Sequence, residues 1–267
     1  MNIGMFVYSR YNLALAKLQK RRMLEGKGPD DLPRSTWPKS LEDPTSFYRD
    51  CFRYFHQHFP EELKEHRAYF GSNMRGFGED ALHVMWHLLF KEFKPQTFLE
   101  IGVFRGQVVS LATMLARMNK IPCRVVGISP FTGAGDQSSK YKKMDYVTDM
   151  LANFDHFSLP HPEYLKAYST DENAVALIRS TAWDMIYIDG NHDYDVVCKD
   201  WQACSESVKP GGIIVLDDSG STTSYKPTRF STAGIQGPSR LAAEIDRKQF
   251  AEILQVAHNR VFQKIPQ

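Results

Sequence analysis

From Thr97 onward, short apolar runs alternate with stretches in which apolar residues recur every three or four positions, a pattern that predicts strands interleaved with helices. The runs Thr97–Ile101, Arg124–Ile128, Leu165–Tyr168, Met185–Ile188 and Ile213–Leu216 read as five strands. Between them, Val108, Val109, Leu111, Ala112, Leu115 and Met118 form one helical stripe, Met144, Val147, Leu151 and Phe154 a second, and Val197, Trp201, Cys204 and Val208 a third. Ser169-Thr170-Asp171-Glu172 has the form of a capping box opening a helix over Ala174–Arg179. A tight turn is expected at Lys209-Pro210-Gly211-Gly212. Past the fifth strand come a long loop from Ser219 to Gly237, a helix over about Pro238–Phe250, and two strands around a turn at His258-Asn259. This order predicts an α/β fold: a Rossmann-like, doubly wound sheet of five parallel strands plus a C-terminal β-hairpin.

Before Thr97 the pattern is helical and rich in aromatics, with a polar break from Gly26 to Pro44 that carries Pro29, Pro33, Pro38 and Pro44. The expected division is therefore an N-terminal helical extension or cap over 1–94 and a Rossmann-like domain over 95–267. Phe47, Tyr48, Phe52, Tyr54, Phe55 and Phe59 are read as helix packing. His83 and His87, four apart, have no glutamate between them of the kind a zinc-protease helix carries, so they are read as structural. Lys17 to Arg22 is expected to be a solvated helix face.

Charge adds little, because 33 basic residues against 31 acidic ones leave no footprint for nucleic acid. Four cysteines, with no C-x-x-C pair, are too sparse for a disulfide framework and fit a reducing compartment. The opening Met1–Val7 has no basic stretch ahead of its short apolar run, and no segment reaches membrane-spanning length. A soluble, cytoplasmic protein without stable membrane insertion is expected; a homo-oligomer is left open.

Candidate chemistry gathers where strands end. Phe98-Leu99-Glu100-Ile101-Gly102-Val103-Phe104-Arg105-Gly106 is an apolar strand ending in an acid, followed by two glycines four apart and a helix. The fourth strand ends in Asp189-Gly190-Asn191-His192, and the fifth in Asp217-Asp218. In an open parallel sheet every strand delivers its C-terminal end to one edge, and ligands bind there where strand order reverses. With the first, fourth and fifth strands as neighbours at about 4.8 Å spacing, Glu100, Asp189 and Asp217 emerge side by side. Asp218 can join them only where the chain has left the strand. Such a set of carboxylates suits a hard divalent cation.

Glu100 to Gly106, Tyr187 to His192, and Pro210-Gly211-Gly212 with Leu216-Asp217-Asp218 together resemble the class I S-adenosylmethionine-dependent methyltransferases. In particular they resemble the metal-dependent O-methyltransferases that modify sugars of macrolide and aminocoumarin natural products, a group that includes cephalosporin hydroxylase-like proteins. The resemblance implies that Glu100, Gly102 and Gly106 wrap the methionine part of S-adenosylmethionine, with Asp189 beside them. It implies that Asp189, Asp217 and Asp218 ligate Mg²⁺ or another divalent cation, that His192 is the general base, and that the acceptor is a hydroxyl of a sugar, glycan or related small molecule. One departure stands at Ser129, where the family carries an acid for the ribose hydroxyls. Serine can make one such contact; either Asp136 in the next loop replaces the acid, or cofactor affinity is weaker, or the ligand is not S-adenosylmethionine. Two other readings therefore stay open: a catalytically silent protein of the same fold, and a dinucleotide oxidoreductase, which the missing third glycine of G-x-G-x-x-G disfavours.

Overall fold

The computed structural model describes residues 3–73, 75–132 and 144–266. The N-terminal part consists of α1 (Ile3–Met23), α2 (Pro38–Glu42), α3 (Pro44–His58), α4 (Glu61–Gly71) and α5 (Asp80–Phe93), with a 3₁₀ turn at Arg34–Thr36 inside the proline-rich break. Local chemistry sets these boundaries. Asp43 accepts the Ser46 amide at 2.9 Å and Pro44 occupies the first turn, so α3 begins where its orphan amides are satisfied.

The rest runs β1 (Thr97–Ile101), α6 (Gln107–Met118), β2 (Arg124–Ser129), α7 (Tyr146–His156), β3 (Glu163–Lys166), α8 (Glu172–Arg179), β4 (Trp183–Ile188), α9 (Tyr194–Ser207), β5 (Val208–Leu216), α10 (Gln236–Glu244), β6 (Phe250–Val256) and β7 (Asn259–Lys264). The seven strands form one sheet in the order β3-β2-β1-β4-β5-β7-β6. Strands β1 to β5 are mutually parallel, and β7 pairs antiparallel with both β5 and β6. Strand order reverses between β1 and β4, where the acids were expected to meet.

Alternation along the strands gives each face its own core. Phe98, Met185, Tyr187, Ile213, Val215 and Val261 face the N-terminal helices and α6, in a cluster that extends through Leu89 and Phe52 to Trp37. Leu99, Ile101, Ile186, Ile188, Ile214 and Leu216 face α8, α9 and α10. Side chains of this size contribute about 1.5–3 kcal/mol each when fully buried, so a one-residue slip of register would forfeit both cores at once. The aromatic residues Phe47 to Phe59 singled out in the sequence are buried in the first cluster, as expected.

Several local expectations shift. β3 begins at Glu163, two residues before the anticipated start, because the segment pairs with Val126–Ser129 of β2. The capping box does not form: Asp171 is the N-cap of α8, and its carboxylate turns back to accept the Tyr168 amide at 2.9 Å. In α7 the buried stripe is Tyr146, Met150, Asn153 and Phe154, leaving Val147 and Leu151 half-buried. The Lys209–Gly212 turn is an irregularity within β5, where pairing jumps from Trp183 with Val208 to Met185 with Ile213. α10 stops at Glu244, and Phe250 already pairs with Lys264.

Candidate active site

The ladder of the sheet continues one residue past each strand and so places the acids. The Asp189 amide donates to the Ile101 carbonyl at 2.8 Å, the Asp217 amide to Ile188 at 3.0 Å, and the Gly102 amide to Ile128 at 2.9 Å. Gly102 has φ +97°, and a Cβ there would lie 1.8 Å from the Asp189 carbonyl oxygen, so only glycine fits. Asp218 takes φ +48°, leaving the strand just where that departure was needed for both aspartates to face one site. The glycine turn is clamped from outside: buried Arg105 reaches Asp149 of α7 through two bonds, at 2.6 and 2.9 Å.

A cavity of about 420 Å³ lies between the glycine turn and the acids. Glu100, Gly102, Asp189, Asp217 and Asp218 all line it. His192 is not part of that lining; it stands beside the acids, with Nε2 3.4 Å from Asp218 Oδ2 and 3.7 Å from Asp189 Oδ1. Crowded like charges and burial leave a clear electrostatic signature. Burial, then the Asp189 carboxylate, push Asp217 up to about 7; burial and Asp217 push Asp218 up to about 6. Burial and Asp189 also hold Glu100 well above the carboxylate range, although it accepts the Val109 amide of α6. Glu100 Oε2 and His192 Nε2 are buried and make no hydrogen bond among the described residues.

Ser129 behaves differently. It does not line this cavity, and its hydroxyl accepts the Phe131 amide at 3.3 Å. Asp136, its possible substitute, lies outside the described residues.

Residues 99–219 match the family model of a methyltransferase domain. An uncharacterized protein of Acanthamoeba polyphaga mimivirus is 27% identical over 190 residues, covering 68% of this chain and 76% of its own. Among solved structures, the S-adenosylhomocysteine-bound methyltransferase of Podospora anserina shares the fold, with a TM-score of 0.56 and 16% identity over 89% of this chain and 99% of its own. The O-methyltransferase of Bacillus cereus, in complex with S-adenosylhomocysteine, does so with a TM-score of 0.52 and 14% identity, over 87% of this chain and 100% of its own.

Around the domain's strand ends the fold adds residues that sequence reading passed over. His258 stood out only as a turn residue, yet its Nε2 lies 3.5 Å from Asp217 Oδ1 and 4.0 Å from Asp218 Oδ1. Its Nδ1 faces Glu79 Oε1 at 3.8 Å, and Glu79 in turn accepts the Tyr48 hydroxyl at 2.7 Å. Two groups of potential ligand atoms result, Asp189 with His192 and Asp217, and Asp217 with Asp218 and His258, each within 4.8 Å of one another. No periodicity marks His258 or Glu79, because they come from the hairpin tip and the segment before α5. In the long loop after β5, residues Arg229 to Thr232 also line the cavity. His83 also reaches that lining, but its ring is buried against His66 at 3.1 Å, consistent with a structural role. Among the described residues, no helix is long and apolar enough to cross a membrane.

Proposed function

We propose that this methyltransferase carries the methyl group of S-adenosylmethionine to a hydroxyl oxygen of a sugar or related polyol beside a divalent cation. The supporting observation is the convergence of Asp189, Asp217 and Asp218 on one cavity with Glu100 and Gly102. The residues fit both groups. Glu100 is a buried carboxyl with an unpartnered oxygen, suited to the ammonium of the cofactor, and the aspartates crowd together as carboxylates do around a cation. The aromatic rim of Phe77 and Phe104, stacked at 5.2 Å, suits the face of a sugar ring.

When bound, the cation would supply Lewis acidity to the acceptor hydroxyl and the cofactor would supply the methyl group. Asp189, Asp217 and Asp218 would hold the cation. Glu100 and the glycine turn would fix the donor, and Arg229 to Thr232 line the same cavity. His192 would take the acceptor's hydroxyl proton at Nε2. The same nitrogen faces Asp189 and Asp218, which favours a second reading of His192 as a ligand.

Methyl transfer to a panel of sugars and polyols, with and without EDTA, tests the proposal. Loss of turnover with EDTA and recovery with a divalent cation is expected; undiminished turnover on a true acceptor removes the cation from the reaction. His192→Ala separates the two roles. A base loses kcat by about 100-fold or more with cation affinity unchanged, whereas a ligand loses cation affinity in step.

A further inference from the structure

We infer that His258 is a further protein ligand of the divalent cation, that Glu79 is its positioning residue, and that the site consequently prefers Mn²⁺ or Co²⁺ to Mg²⁺. The inference rests on the cation reading above and extends it to residues outside the stretch that matches the family model.

His258 is built into place. It occupies the two-residue turn between β6 and β7, following Ala257 at φ +52°. Its carbonyl accepts the Ser219 amide at 2.8 Å, which ties the hairpin tip to the chain immediately after Asp218. The residue is only 7% exposed, and Nδ1 makes no hydrogen bond among the described residues. Nε2 and the carboxylate oxygens of Asp217 and Asp218 lie within 4.8 Å of one another, as ligand atoms around one ion do. At 3.5 and 4.0 Å, however, they are too far apart for direct hydrogen bonds.

Glu79 stands on the other side of the ring, itself held in place. Tyr48 holds one of its oxygens at 2.7 Å, and the Ser231 hydroxyl also bonds the carboxylate, so the acid is fixed by α3 and by the loop over the site. Its other oxygen faces Nδ1. An Nδ1–H directed at Glu79 leaves the Nε2 lone pair facing two carboxylates, a repulsive arrangement that a cation between them reverses. Carboxylate, imidazole and metal in line is a recurring way to fix a histidine ligand. An imidazole nitrogen among the donors shifts preference away from Mg²⁺, which favours oxygen, toward first-row transition ions.

Competitive titration of the full-length protein with Mn²⁺ and Mg²⁺ tests this, with the melting temperature in EDTA as a folding control. The wild type should bind Mn²⁺ more tightly than Mg²⁺. His258→Ala, or His258→Gln should the first fail to fold, should weaken Mn²⁺ binding by on the order of 100-fold while changing Mg²⁺ binding much less. Glu79→Gln should weaken Mn²⁺ binding by about tenfold at an unchanged melting temperature. Unchanged Mn²⁺ affinity in both His258 variants overturns the inference. So does tighter binding, the sign expected had the ring been a positive counter-charge to the aspartates. If Asp217→Ala abolishes Mn²⁺ binding while the His258 variants do not weaken it, only this inference falls; if the wild type binds neither ion, the cation reading falls with it.

Discussion

Two buried polar clusters lie one helical turn apart, and they are built on opposite principles. Under α5, His66 meets His83 at 3.1 Å and Ser110 at 3.0 Å, and Ser110 in turn donates to the Gln107 carbonyl at 3.1 Å. Burial pushes His83 down to about 3, so both rings are neutral and the network closes within the chain. Across Glu79, whose carbonyl accepts the His83 amide, lies the cluster of Asp217, Asp218 and His258. There the carboxyls are pushed up, like charges face each other, and imidazole nitrogens stay unbonded. In the first cluster the buried polar groups are satisfied internally, and in the second they are left short of partners.

The largest effect that would sharpen this contrast belongs to the unsatisfied cluster. Asp217→Asn should lower kcat/KM by about a thousandfold while raising the melting temperature in EDTA, because it removes a buried charge as well as a ligand. A lowered melting temperature would mean that the cluster supports the fold after all. Gly102→Ala should cost roughly 3 kcal/mol of stability in chemical denaturation, since its Cβ meets the Asp189 carbonyl at 1.8 Å where φ is +97°. His66→Ala, in the satisfied cluster, should cost about 2 kcal/mol by leaving His83 and Ser110 without their partner. It should leave kcat per folded molecule near wild type; a large loss of kcat would break the division between the clusters.

The same contrast explains what could be read from the sequence. β1 and the order of the acids were legible because a parallel sheet turns local period into a shared edge: Glu100, Asp189 and Asp217 each end an apolar run, and topology alone makes them neighbours. The start of β3 and the end of α10 were less so, since pairing with β2 and with Lys264 of β7 overrode the local pattern. His258 and Glu79 were illegible for a different reason. One sits on a hairpin tip and the other before α5, 179 positions apart, and only tertiary packing brings them within 3.8 Å. The Tyr48 hydroxyl was likewise hidden inside what reads correctly as an aromatic packing face.

The smallest effect is also the one in which the two clusters carry opposite signs. Asp217 is near 7 in the folded chain against an ordinary value of 3.8, so between about pH 4 and 7 the folded state holds a proton that the unfolded state has lost. Stability of the cation-free protein therefore falls as pH rises through that window, and Asp218, near 6, adds to the slope up to its own value. His83 is near 3 against 6.5, so between about pH 3 and 6.5 the unfolded state holds the extra proton and stability rises with pH. The contributions oppose each other up to about pH 6.5, above which the aspartate slope stands alone. Melting temperatures in EDTA from pH 5 to 8 should thus show a steeper rise with pH in Asp217→Asn and a steeper fall in His83→Gln than in the wild type, by a few degrees in each case. Saturating Mn²⁺ should turn the wild-type slope upward near neutrality, because a cation binds the deprotonated carboxylates and strengthens as they ionise. If both variants kept the wild-type slope, the carboxyls would not share the site's charge, and the distinction between a satisfied and a waiting cluster would lose its electrostatic basis.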